Sequence, residues 1–233
     1  MKQSLVAAAL VPLLIALPAI AGAQEKQPQF KLIEFQMALL KRGPKWTAHG
    51  MTEGLRSEHV GYVISLLESG RAVIVGPVGG DGDIAGIYVL RAKSAEEAKS
   101  WIEKDPAVRA GHFMPEMHSW WSEDVMKKTA SPIKLTTVYL ALLTRGAKWT
   151  PEKTSATEEL QKAHLANIRR LADMKKLVLA GPFGDNGTLR GIFVFRTASL
   201  EEARALAATD PAVQAGRLAI DIHPWLVSEG VLP

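Results

Sequence analysis

The chain has 233 residues, of which 47% are hydrophobic and 22% are charged, values that are ordinary for a globular protein. Its formal charge of +4 comes from 28 Lys and Arg against 24 Asp and Glu, and this weak, dispersed excess argues against nucleic-acid binding. No cysteine occurs, which excludes disulfides, thiolate chemistry and cysteine metal sites.

Residues 1–23 have the pattern of a secretory signal peptide. Lys2 precedes the apolar stretch LVAAALVPLLIALPAIA, and the small residues at 21–23 suit a signal peptidase. A retained membrane anchor is the alternative, but Pro12 and Pro18 interrupt the apolar run. The sequence therefore predicts a periplasmic or secreted protein that has no membrane association after cleavage, with an N-terminal linker over 24–29.

The rest of the chain contains one unit twice. The segment KLIEFQMALLKRGPKWT from Lys31 returns as KLTTVYLALLTRGAKWT from Lys134, and GPVGGDGDIAG from Gly76 returns as GPFGDNGTLRG from Gly181. Such self-similarity indicates a duplicated folding unit, so each position can be compared between the copies. We assign repeat 1 to 30–121, a polar linker to 122–133, repeat 2 to 134–226 and a tail to 227–233.

The elements of repeat 1 follow from periodicity and turn signals. Alternation over 33–39 predicts a strand, and apolar residues at steps of three and four over 55–66 predict a helix. AVIVG closes at Gly-Pro and GIYVLRA follows a glycine-rich loop, which indicates a hairpin. The capping-box spacing of Ser94 and Glu97 predicts a second helix, ended by Asp105-Pro106, before a last strand that includes 112–120. Repeat 2 has the same pattern.

The order strand, helix, strand, strand, helix, strand predicts an α+β fold, the ferredoxin-like βαββαβ plan. Such a sheet carries its helices on one face and leaves the other apolar face uncovered. Because burial of each leucine-sized side chain contributes roughly 1.5 to 3 kcal/mol, we expect the two sheets to pack face to face. This intramolecular pairing of the repeats predicts a dimeric α+β barrel within one chain.

The residues resemble the YciI-related family. The resemblance rests on a helical histidine in LRSEHVGYV or LQKAHLANI, the Gly-Pro after the second strand, the capped SAEEA or SLEEA helix, the DPAVRAG or DPAVQAG segment and the terminal HSW or HPW. It implies a ferredoxin-like domain that pairs into an α+β barrel, with a pocket for acid–base chemistry on small organic molecules. It also implies catalytic roles for His59, His164, Asp105 and Asp210.

Alternatives to catalysis exist for each of these residues. A histidine in line with leucines on an amphipathic helix is often a core residue, yet here the imidazole recurs in both copies while neighbouring polar positions differ. A nearby carboxylate could tune it for use as a general base. Aspartate before proline is also a good helix cap, and capping and a functional role can coexist.

Further candidates for substrate binding recur in both copies. On the last strand a carboxylate, an imidazole and an indole alternate and so share one face, although a structural edge plugged by the tryptophan is the alternative. The loop tryptophans could stack on a flat ligand or anchor their loops. The candidates are Trp46, Trp149, His118, His223, Trp120 and Trp225. His49 and His112 lack counterparts in repeat 2, and we expect both at the surface.

These observations predict an exported YciI-like enzyme that abstracts a proton from a small organic molecule or catalyses an elimination on it. Such an enzyme would be lyase-like, isomerase-like or hydrolase-like, and it needs neither an organic cofactor nor a metal. Its partner would be a small-molecule ligand. A non-catalytic periplasmic binding or scaffold module is the alternative, and haem or metal binding is a third, by analogy with related barrels.

Overall fold

The computed structural model describes residues 30–47 and 49–233. The predicted signal segment at 1–23 and the linker at 24–29 lie outside these residues. Within the described part of the chain, no helix is both long enough and apolar enough to cross a membrane.

Repeat 1 forms one antiparallel sheet with helices on one face. Its elements are β1 (Leu32–Arg42), α1 (Glu53–Glu68), β2 (Ala72–Pro77), β3 (Ile84–Leu90), α2 (Ala95–Ile102), α3 (Pro106–Arg109) and β4 (Phe113–Glu123). The four strands lie in the order β2-β3-β1-β4. The short helix α3, which begins after Asp105, is an addition to the predicted plan.

Repeat 2 reproduces this arrangement. Its elements are β5 (Leu135–Arg145), α4 (Ser155–Asp173), β6 (Leu177–Pro182), β7 (Leu189–Phe195), α5 (Leu200–Ala207), α6 (Pro211–Gln214) and β8 (Leu218–Ser228). The strand order is β6-β7-β5-β8. Two sheets of this topology confirm the predicted α+β class and the duplicated ferredoxin-like plan.

The helix starts follow the local sequence signals. Ser94 precedes α2, and its hydroxyl accepts a hydrogen bond from the Glu97 amide at 3.2 Å. The Glu97 carboxylate accepts from the Lys93 amide at 2.7 Å, one residue before the position that a capping box would use. Ser199 caps α5 in the same way. The predicted starts are therefore confirmed, because each serine satisfies an otherwise free amide.

Strand β1 is covered on both faces, and its alternating side chains point into two different hydrophobic cores. Phe35, Met37 and Leu39 point into a core shared with repeat 2, while Ala38 and Leu40 pack under the helices of repeat 1. The shared core contains residues of both sheets, among them Val138 and Leu140 of β5. This shared core is the closed interior of the predicted barrel.

The two sheets are joined at their edges by reciprocal contacts. Trp120 on β4 forms a bridge to Phe183, and Trp225 on β8 forms the equivalent bridge to Val78. The Trp120 indole N–H donates to the Gly181 carbonyl at 3.1 Å, and the Trp225 indole donates to the Gly76 carbonyl at 3.2 Å. Each C-terminal strand of one repeat therefore closes against the second strand of the other repeat.

The linker and the tail pack on each other, and both contribute to the shared core. β4 continues to Glu123, and β8 continues to Ser228. Met126 of the linker and Val231 of the tail are buried in the shared core, and the Lys127 amide donates to the Val231 carbonyl at 2.8 Å. The segments that flank repeat 2 are thus part of the packed structure.

Candidate functional site

His59 and Asp105 form a hydrogen-bonded pair in repeat 1. The Nδ1 atom of His59 lies 2.8 Å from Oδ1 and 3.0 Å from Oδ2 of Asp105. The Asp105 side chain is fully buried, whereas 15% of the His59 side chain is exposed. The structure therefore places an imidazole between a buried carboxylate and a solvent-accessible edge of the domain.

Helix α3 positions the carboxylate. Asp105 is its N-cap and accepts a hydrogen bond from the Ala107 amide at 2.9 Å, while Pro106 occupies the first helical turn. Capping and the contact with His59 coexist, because Asp105 has two oxygens with several lone pairs. The local turn thus orients Asp105, and α1 places His59 within hydrogen-bond distance of it.

Tyr88 completes this site, and sequence reasoning did not identify it. Its hydroxyl donates to Oδ2 of Asp105 at 2.6 Å, and the residue is fully buried. Burial raises the pKa of the Tyr88 hydroxyl, and the nearby Asp105 charge raises it further, so the hydroxyl stays protonated and donates. The only sequence signal was a tyrosine within the otherwise apolar run GIYVL, read as a strand.

Repeat 2 contains the same pair with one donor fewer. His164 Nδ1 lies 2.7 Å from Oδ2 of Asp210, whose other oxygen accepts from the Ala212 amide at 2.9 Å. Phe193 occupies the position of Tyr88 and stacks on the His164 ring, with the centroids 5.8 Å apart. The Asp210 side chain is fully buried, and 12% of the His164 side chain is exposed.

An aromatic cluster surrounds the site of repeat 1. The Trp46 and His112 ring centroids are 4.8 Å apart, and Phe113 lies 4.9 Å from His112 and 5.6 Å from His59. His112 is only 3% exposed, so the expectation that it lies at the surface was wrong. Desolvation lowers the pKa of His112, and the neighbouring His59 lowers it further, although a hydrogen bond to the Lys45 backbone opposes this shift. His49 is exposed as expected.

Trp149, the counterpart of Trp46, has a different environment. Three guanidinium carbons lie near its ring centroid, those of Arg145 at 5.4 Å, Arg190 at 4.8 Å and Arg217 at 4.5 Å. In repeat 1, Arg42 is the arginine over Trp46, at 5.1 Å. Both loop tryptophans are partly buried, and neither belongs to the core shared by the two repeats.

The second histidine of each repeat lies at one end of the barrel. Both ring nitrogens of His118 face carboxylates, Nδ1 at 2.6 Å from Asp185 and Nε2 at 3.0 Å from Glu116. A hydrogen bond to His118 and the Gly187 backbone lower the pKa of Asp185, against the opposing effect of burial. Asp185 comes from repeat 2, so this contact crosses between the repeats.

His223 is the equivalent residue in repeat 2, and its Nε2 lies 2.7 Å from Asp221. Gly80 and Gly82 face its ring where an aspartate faces His118. His223 lines a cavity of about 340 Å³. The other residues around this cavity include Lys41, Asp83, Glu116, Thr188 and Asp221. The cavity at this end of the barrel therefore has a mixed lining of polar side chains and of Leu39, Ile84 and Leu189.

Trp120 and Trp225 do not line that cavity. Both side chains are fully buried in the shared core and donate their indole N–H groups to backbone carbonyls of the other repeat. They therefore lie where the plug interpretation expects them. His118 and Trp120 share one face of β4, as the alternation predicts, but only the histidine reaches the barrel end.

The candidate residues thus form separate groups. Each catalytic candidate meets its partner, but neither His–Asp pair lines the 340 Å³ cavity or a second cavity of about 300 Å³ beside the linker. Among residues 30–47 and 49–233, no cluster of three or more His, Asp or Glu side chains is arranged to hold a metal ion.

Comparison with solved structures agrees with this fold. A mutant chlorite dismutase from Candidatus Nitrospira defluvii is 14% identical, with a TM-score of 0.54 over 86% of this chain and 93% of that one. A heme-binding protein from Thermus thermophilus is 15% identical, with a TM-score of 0.50 over 86% and 92% of the two chains. At such identities the likeness shows the fold alone. The protein is therefore a member of the class of α+β barrels built from two ferredoxin-like units.

The family follows from the sequence match. The YCII-related domain matches residues 37–116 and 141–226, one match in each repeat. A distant relative from Bacillus subtilis (strain 168), described as uncharacterized protein YjpA, is 34% identical over 76 residues, which is 31% of this chain and 87% of the relative. The chain belongs to the YCII-related family and contains its domain as a tandem duplication.

Proposed function

We propose that the protein is an acid–base enzyme that moves a proton on a small organic molecule, with one such site in each repeat. The observation that carries the proposal is the repeated pair of a partly exposed imidazole and a fully buried carboxylate, joined through Nδ1 in both copies. Such a pair is the usual arrangement of a general base and the group that orients it.

The geometry supports a distinct role for each atom of the pair. Asp105 and Asp210 accept the Nδ1–H of the adjacent histidine, which fixes the tautomer and leaves the Nε2 lone pair as the base. Among the described residues, neither Nε2 atom has a hydrogen-bond partner. Nε2 would take a proton from a carbon or oxygen of the substrate and return it to the product, while the aspartate stabilises the imidazolium formed in between.

The reaction class is therefore proton abstraction or elimination. His59 and His164 act as the bases, and Asp105 and Asp210 as positioning residues. Trp46 is a candidate for contact with a flat substrate, because it is connected to His59 through Phe113. Trp149 is the equivalent candidate in repeat 2.

Isotope exchange tests this chemistry without knowledge of the natural substrate. Pyruvate, acetoacetate and phenylpyruvate are incubated with the protein in D₂O, and the loss of their α-proton signals is followed by proton NMR. We expect exchange of at least one compound to fall about 10²-fold or more in the double variant H59Q/H164Q, because general-base catalysis contributes roughly 10² to 10⁴ in rate. H49Q, on an exposed loop, is the matched control. Equal exchange by the wild type and the double variant would overturn the proposal.

A non-catalytic binding or scaffold role is the second candidate, because the two described cavities leave out both His–Asp pairs. The rings also pack against aromatic side chains, His59 on Phe113 and His164 on Phe193. For this role, H59Q and H164Q would lower the free energy of unfolding and leave any ligand binding unchanged. Urea unfolding of both variants therefore separates a packing function from a chemical one.

We also propose export, on the basis of residues 1–23. Lys2, the apolar run and the small residues before position 24 support it. Expression of the full chain in a bacterial host and N-terminal sequencing of the product should find Gln24 as the first residue. A product that retains residues 1–23 in the membrane fraction would contradict cleavage.

A further inference from the structure

The environment of Trp149 contains an unusual concentration of positive charge. Arg145 ends β5, Arg190 lies on β7 and Arg217 precedes β8, so three separate segments bring their guanidinium groups to one indole ring. At the corresponding positions of repeat 1 stand Arg42, Ala85 and His112. The concentration of arginines is therefore specific to repeat 2.

The hydrogen-bond partners of two of these arginines are uncharged. Arg145 donates to the Asn186 carbonyl, and Arg217 donates to the Thr150 hydroxyl at 3.1 Å and to the Thr150 carbonyl at 2.7 Å. These bonds hold the guanidinium groups in place without neutralising them. Because each like charge raises the energy of its neighbours, the arrangement has an electrostatic cost.

The hydrogen-bond donors of Arg190 are less well satisfied than those of Arg145 and Arg217. Its Nη1 atom is buried and has no hydrogen-bond partner within the described part of the chain. Burial and the nearby Arg145 lower the pKa of the Arg190 guanidinium, Arg217 lowers it further, and Asp185 opposes the shift. Asp185, however, is already bound to His118 at 2.6 Å. A buried guanidinium donor without an acceptor is costly, and a nearby anion would offset the charge of the three guanidinium groups.

We propose that Arg145, Arg190 and Arg217 bind a small oxyanion, a carboxylate or phosphate group, beside Trp149 in repeat 2. Guanidinium groups present planar pairs of donors that match both kinds of group. The Trp149 indole holds the three groups near one another through cation–π contacts. The described residues of repeat 1 form no equivalent site, so one anion binds per chain.

The anion site does not depend on the proposed proton chemistry, but it neighbours the second His–Asp pair. The Arg217 amide donates to the Ala212 carbonyl at 2.9 Å, and the Ala212 amide donates to Asp210. Asp210 in turn holds His164. The residues at the ends of α6 therefore position both the imidazole of His164 and the backbone of Arg217.

Calorimetric titration of the full chain with inorganic phosphate and, separately, with benzoate tests this inference at low ionic strength. We expect one saturable site per chain for at least one of the two anions. Affinity should fall about tenfold or more in R190Q and in R217Q, because each substitution removes a positive charge and charge-assisted donors from the site, and tenfold corresponds to about 1.4 kcal/mol. R204Q, on the exposed face of α5, is the matched control and should bind as the wild type does.

The two anions distinguish the source of the oxyanion. Tighter binding of benzoate would identify an organic carboxylate, and tighter binding of phosphate would identify a phosphate group. Absence of saturable binding of both, two sites per chain, or equal affinities of the wild type, R190Q and R217Q would overturn the inference. Because H164Q should bind the anion normally, loss of proton exchange and loss of anion binding can be told apart.

Discussion

At the scale of single residues, the two copies show how one substitution changes a shared site. Asp105 accepts hydrogen bonds from His59, Tyr88 and the Ala107 amide, while Phe193 removes the second of these donors from repeat 2. A buried carboxylate needs such donors because it has lost its hydration. The carboxylate of repeat 1 is therefore the better satisfied of the two.

We expect Y88F to destabilise the protein by roughly 1.5 to 3 kcal/mol, the range for a buried hydrogen bond to a charged group. Urea unfolding measures this change. Y139F is the matched control, because Tyr139 is partly exposed and its hydroxyl has no hydrogen-bond partner among the described residues. A loss no larger for Y88F than for Y139F would contradict the importance of the Tyr88 contact.

His112 predicts a dependence of stability on pH. Its pKa is lowered in the folded state from the ordinary value of 6.5, chiefly by desolvation. Below about pH 6.5 the unfolded chain therefore binds a proton that the folded chain does not, so the contribution of His112 to stability is present above this pH and is lost as the pH falls.

The difference in unfolding free energy between the wild type and H112Q measures this effect. We expect it to shrink between pH 7.5 and pH 5.5, with the change concentrated below about pH 6.5. Comparison with H49Q removes the contribution of general charge effects. A difference that is independent of pH would show that His112 titrates equally in both states.

At the scale of elements, two glycines decide how the sheets close. A Cβ atom at Gly181 would lie 1.9 Å from the Trp121 carbonyl oxygen, and one at Gly76 would lie 1.7 Å from the Leu226 carbonyl oxygen. Both clashes are with backbone atoms, which cannot relieve them by a change of rotamer as a side chain can. The Gly-Pro motifs therefore end β2 and β6 and also allow the opposite strand to approach.

We expect G181A to destabilise the protein by about 1 to 3 kcal/mol or more, because the added methyl group overpacks the seam between β4 and β6. Urea unfolding measures the loss. G61A is the control, since nothing lies within 4 Å of a Cβ at Gly61 in α1. Alanine in a helix should instead stabilise by roughly 0.5 to 1 kcal/mol. Similar effects of the two substitutions would contradict the role of Gly181 in closure.

At the scale of the whole molecule, fusion of two domains has allowed their sites to diverge. A symmetric pair of separate chains would carry the same residue at both equivalent positions, whereas here repeat 1 has Tyr88 and His112 where repeat 2 has Phe193 and Arg217. The shared core and the reciprocal tryptophan contacts remain nearly symmetric. The barrel therefore supports two sites of different charge and hydrogen bonding.

Sequence reasoning recovered the order of the strands and of the two longer helices of each repeat, the starts of α2 and α5, and the pairing of the sheets, because these depend on period, caps and apolar faces that are local or repeated. Through the family resemblance it also predicted that His59 is paired with Asp105 and His164 with Asp210. It missed the contact of Tyr88 with Asp105 and wrongly placed His112 at the surface. A period of two assigns each strand residue to a face but does not say which side chain from another element meets it.

The sequence by itself determined a duplicated α+β unit whose apolar faces had to be covered, since alternation, capping residues and turn glycines are properties of short segments. Only the tertiary structure decided that Asp185 binds His118 of the other repeat and that three arginines from distant segments meet at Trp149. The physical reason is that charge and hydrogen bonding act over a few ångströms in space. The chain fold, rather than sequence separation, sets those distances.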